Sequence, residues 1–80
     1  MREAIGTELK ISRIRNNMTM QEVADKMGFN IETLRRYENN SSGLSIEKLE
    51  KLLLLYNENI DIFFDNVCEN MHKNQEIKEE

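Results

Sequence analysis

Residues 18–38 read MTMQEVADKMGFNIETLRRYE. Two short helical patterns share this stretch, separated only by Gly28, Phe29 and Asn30. Thr19-Met20-Gln21-Glu22 is a capping box, in which a hydroxyl and a carboxylate satisfy each other's free backbone N–H groups. Met20, Val23, Ala24 and Met27 then recur at helical spacing and form an apolar stripe. Gly28 is suited to the left-handed conformation that stops a helix. Asn30 is suited to cap the next one, which carries Leu34 and Tyr37 inward and runs to about Glu38.

Working outward, the sequence predicts three more helices. The first spans roughly 3–16, with Ile5, Leu9 and Arg13 on one face and Ile11 and Ile14 on its flank. The polar run Asn39 to Gly43 is a loop. Ser45 caps a fourth helix with the stripe Ile46, Leu49, Leu52, Leu53 and Tyr56. Asn57 is suited to a left-handed stop. Asn59 caps a fifth helix of about 60–71, with Ile60, Phe63, Phe64, Val67 and Met71 on its stripe. Residues 72–80 are polar and acidic and are expected to be unstructured. The expected architecture is all-α: one compact five-helix domain over 1–71, with the helix–turn–helix pair at about 19–38.

Composition agrees. The 80 residues contain no proline, no tryptophan and three glycines, which favours helix over a turn-rich sandwich. A single cysteine forms no internal disulfide and suits a reducing, cytoplasmic setting. No apolar run reaches membrane-spanning length, and no apolar signal segment opens the chain. The net charge is −4, but it is unevenly spread. Residues 1–57 carry 9 Lys and Arg against 8 Asp and Glu, and residues 58–80 carry 2 against 7. The front is near neutral, and so lacks a strongly basic nucleic-acid footprint.

Two helices joined by a tight turn containing glycine make a helix–turn–helix unit. In such a unit the second helix lies in the DNA major groove, braced by the first. Arg35 and Arg36 then occupy the one face that the fold leaves unburied. With IGTEL and Arg13 before this unit and LSIEKLEKLLLLYNENIDIFF after it, residues 4–64 resemble the Cro/C1-type helix-turn-helix domains of phage repressors and bacterial regulators. The length and the ENNSSGLSIEKLE segment also resemble the controller proteins of restriction–modification systems. The resemblance implies a lambda-repressor-like fold and a homodimeric, sequence-specific regulator of transcription. It would read inverted repeats in double-stranded DNA, most simply as a repressor.

The candidate base contacts are Ile31, Glu32, Arg35 and Arg36. Ile31 could touch a thymine methyl, Glu32 could accept from cytosine or orient Arg36, and Arg36 points most directly outward. Candidate phosphate contacts are Thr19, Gln21, Thr33, Asn39, Asn40 and Ser41. The blander reading is a solvated face with Glu32 paired to Arg36 at i, i+4.

Two departures from the family pattern weaken the expected affinity. Met20 stands where the family often has a phosphate-binding glutamine, and the loop after the second helix of the motif has no charge. The resemblance also implies an ion pair between Arg13 and Glu38. Geometry agrees, since Arg13 continues the Ile5–Leu9 stripe and Glu38 lies one turn past Leu34. Leu54, Leu55, Ile62 and Phe63 are the candidate dimer interface, because they extend the apolar surface beyond one stripe per helix.

No catalytic constellation, metal-ligand cluster, cofactor motif or small-molecule site is legible. His72 and Cys68 stand without partners in sequence. The competing reading is a protein-interaction module of the same fold, antitoxin-like or an anti-repressor subunit. The acidic C-terminal end and the uncharged loop would suit a protein partner.

Overall fold

The computed structural model describes the backbone of residues 1–79 and the side chains of residues 1–71. The backbone continues as helix through 72–79, where the sequence predicts an unstructured tail over 72–80; the side chains there lie outside the described residues. Among the described residues there are five α-helices and no strand: α1 (Arg2–Arg15), α2 (Met20–Met27), α3 (Ile31–Asn39), α4 (Ile46–Leu55) and α5 (Ile60–Glu79).

Each boundary has a local cause. The Thr19 hydroxyl accepts from the Glu22 N–H at 3.1 Å, and the Glu22 carboxylate accepts from the Thr19 N–H at 3.1 Å. Gly28 ends α2 at φ 73°, in left-handed territory where a side chain is costly. The Asn30 side chain accepts from Glu32 N–H, Ser45 from Lys48 N–H, and Asn59 from the Asp61 and Ile62 N–H groups. Asn57 takes a positive φ of 54° after α4, as its position predicts, and Asn17 does the same at 57° after α1.

Leu9, Val23, Leu34, Leu52, Tyr56, Phe63 and Val67 make the centre of one core, so all five helices contribute. Two residues of the expected stripes do not join it. Ile46 is 65% exposed and Ile60 40% exposed. Both are the first residue of their helix, ahead of the positions that pack into the core.

α1 and α3 cross closely. A Cβ placed on Gly6 would lie 2.6 Å from the Glu38 carbonyl oxygen and 2.7 Å from that of Tyr37. Only a residue without a side chain permits this approach. About two turns further along the same face of α1, Arg13 also reaches α3. Its Nε donates to Glu38 Oε2 at 2.8 Å, Nη2 to Oε1 at 3.3 Å, and Nη1 to the Met18 carbonyl at 2.9 Å. Both side chains are buried.

α5 is docked onto α1 through a buried carboxylate that the sequence did not reveal. Glu8 accepts from Asn70 Nδ2 at 3.2 Å and from Asn66 Nδ2 at 3.4 Å. Asn16 ties the end of α1 to the end of α4, its side chain donating to the Ser12 and Tyr56 carbonyls.

The Tyr56 hydroxyl is buried with no hydrogen-bond partner among the described residues. Burial raises its pKa above the ordinary phenol value, the Glu38 charge raises it further, and Arg13 offsets part of this. Because the folded pKa lies above the unfolded one, the phenol's contribution is fully present below about pH 10 and is lost as pH rises beyond that.

Two expectations follow for stability. Glu38→Gln strands the Arg13 charge and should lower unfolding free energy by about 3–5 kcal/mol, read as a shift in urea midpoint. Tyr56→Phe removes an unpartnered hydroxyl, so it should cost little at pH 7 and should flatten the loss of stability seen in urea titrations above about pH 10.

Candidate nucleic-acid interface

α3 owes its two-sidedness to what holds it. Leu34, Tyr37 and Glu38 are buried, and Tyr37 packs edge-to-face on Phe29 of the preceding turn, ring centres 5.7 Å apart. With that side fixed, Glu32, Arg35 and Arg36 are left exposed. Ile31 and Thr33 are half-buried at the margin. Thr19 and Gln21 stand exposed at the start of α2, and Asn39 and Asn40 stand exposed at the end of α3.

Charge on this face is not distributed as the i, i+4 spacing suggested. Glu32 pairs with Arg35, one turn on at i, i+3, and not with Arg36. The Arg35 side chain leans back toward the start of the helix, as side chains in helices do, and so meets the residue three positions earlier. Among the described residues Arg36 has no acidic group within 4.0 Å. It is the cation on α3 whose charge is not already spent.

Several polar groups are partly used within the chain. The Thr19 oxygen is taken up by the cap, but its O–H proton is still available to donate. Gln21 Nε2 donates to Asp25 Oδ1 at 2.8 Å. Asn40 Oδ1 accepts from the Ser42 N–H at 2.9 Å, which shapes the loop and leaves the Asn40 amide donors outward.

Ser41 is corrected. It is only 8% exposed, and its N–H donates to the Arg2 carbonyl, because the loop is tucked against the start of α1. Its role is to close that corner, and it has no surface to offer a phosphate. Phe63 is corrected in the same way: it is fully buried in the core and cannot meet a second chain. Leu55 is half-buried, whereas Leu54 and Ile62 stand exposed.

Sequence reasoning did not place Lys48. Its Nζ lies 5.7 Å from the Phe29 ring centre, over the turn between α2 and α3. No local pattern signals this, because the contact joins α4 to a turn that lies before α3 in the chain. Among the described residues no group of three or more His, Cys, Asp or Glu could hold a metal ion. Among the same residues no helix is long and apolar enough to cross a membrane.

The family model described as helix-turn-helix matches residues 9–63, which is α1 from Leu9 through the first turn of α5. No curated protein matches the chain in sequence. Solved structures of similar fold include three variants of the restriction–modification controller protein C.Esp1396I, each 22% identical. Their TM-scores are 0.77, 0.77 and 0.79, and the matches cover 84–89% of this chain and 89–92% of theirs. At that identity the likeness is one of fold.

Proposed function

The chain belongs to the Cro/C1-type helix-turn-helix family, and from that premise we propose that it is a DNA-binding regulator of transcription. In this reading it is a homodimeric repressor of inverted-repeat operators, and it reads them with α3. The observation that carries the reading is the exposed outer face of α3, with Arg36 free of any acidic partner among the described residues and the opposite face locked into the core.

Arg36 is the principal base reader, because a guanidinium can make two hydrogen bonds to guanine. Ile31 and Arg35 complete the base-contacting set, with Glu32 exposed on the same face and paired to Arg35. Thr19, Gln21, Thr33, Asn39 and Asn40 position the protein on phosphates. The protein acts by binding and not as an enzyme.

The exposed apolar surface at the α4–α5 corner supports the dimer. Leu54 is 80%, Ile62 55% and Ile60, at the head of α5, 40% exposed. A shallow groove lined by Glu50, Leu53, Leu54, Glu58, Asn59 and Ile60 opens at the same corner. Covering it with a second copy would remove the apolar surface from water. Two copies of α3 set about 34 Å apart would then face successive major grooves.

A duplex selected from a random pool gives the first test. Arg36→Ala should cost about 1–3 kcal/mol in binding and relax preference at one base pair per half-site. Equal affinity and selectivity in the variant would turn attention to the competing protein-interaction reading. For the dimer, Ile62→Asp should shift sedimentation at micromolar concentration from dimer to monomer; a parent already monomeric there would rule out this interface.

A further inference from the structure

Glu32 sits on the face that would meet a polyanion, where a carboxylate is an odd choice. It is fixed there. It is the second residue of α3, its backbone N–H is bonded to the Asn30 cap at 2.9 Å, and a negative charge at a helix N-terminus is favoured by the helix dipole. Its carboxylate engages the Arg35 guanidinium, and both side chains remain solvent-exposed. Four residues on, Arg36 is left without an acidic partner among the described residues. Two adjacent arginines on one outward face therefore present one free charge.

We propose that Glu32 is a specificity-determining positioning residue that acts through Arg35. This rests on the DNA-binding reading above and deepens it. A free arginine at this position would be drawn to phosphates of any sequence, and phosphate attraction carries no base information. Held by Glu32, Arg35 adds little to that attraction. The unpaired charge of Arg36 is then used where it discriminates, at a base edge. Glu32 thus lowers affinity for every duplex and raises the ratio of the right duplex to the wrong one, which is specificity achieved by a repulsive element. An exposed pair of this kind is weak enough to be exchanged for a better partner at the correct site.

The test is a double-mutant cycle on binding to two duplexes, the selected one and a scrambled one of equal length, across a salt series. Glu32→Gln should tighten binding to the scrambled duplex about 3- to 10-fold at low salt. It should also steepen the salt slope by about 0.9 for each additional phosphate that the released arginine neutralises. In an Arg35→Ala background the same Glu32→Gln change should have less than half that effect, since its partner is gone. An unchanged scrambled-duplex affinity and slope would overturn the proposal. So would an equal tightening in the two backgrounds, which would mean that Glu32 acts as a bare charge and not through Arg35. If the parent binds neither duplex, the DNA-binding reading itself fails and the proposal falls with it, an outcome distinct from binding that ignores Glu32.

Discussion

The guanidinium of Arg13 joins three parts of the chain at one buried point. It grips both oxygens of Glu38 at the end of α3 and the Met18 carbonyl between α1 and α2. A buried charge must be matched and fully hydrogen-bonded, or its desolvation outweighs its attraction. Here the planar fork meets a carboxylate that is itself out of water. Gly6 makes the close approach possible about two turns earlier on α1, where the helix rests on the carbonyls of Tyr37 and Glu38. With both contacts in place the roll of α3 about its axis is settled, and so is the set of side chains it turns outward.

That outward set is sparing with charge. The Glu32–Arg35 pair is electrically neutral, Ser41 is consumed in the corner against α1, and the loop from Asn39 to Gly43 contributes only amides and hydroxyls. All of the acidic excess lies beyond residue 57, away from the helix pair in sequence. A surface of this composition gains little from general phosphate attraction. In the proposed function, discrimination between sites would then rest on a few well-held groups, which suits a helix braced as firmly as α3.

α5 is fastened by a different chemistry. Phe63 and Val67 fill the core, and the buried carboxylate of Glu8 accepts from two asparagine amides one turn apart. A polar contact of this sort has a preferred register along the helix, which greasy packing alone does not impose. The helix is therefore set with Ile62 facing out.

Local chemistry was legible in the sequence because it acts over a few residues. Thr19 with Glu22, Gly28, Asn30, Ser45, Asn57 and Asn59 each mark a boundary through bonds made within one turn, and all lie where the caps and stops are found. The periodic stripes identified most of the core for the same reason. Arg13 and Glu38 could be matched across the chain because each stands as a charge on an apolar face, where a partner is obligatory. The outward face of α3 followed from its inward one. What escaped the sequence needed the third dimension. Which arginine Glu32 holds depends on how side chains lean along a real helix, and the burial of Ser41 depends on α1 lying across the loop. The pairing of Glu8 with Asn66 and Asn70, and of Lys48 with Phe29, joins groups that no periodicity relates. Ile46 and Phe63 look alike as members of an apolar stripe. Only the position of each along its helix, relative to the packed body, makes one a surface residue and the other the centre of the core.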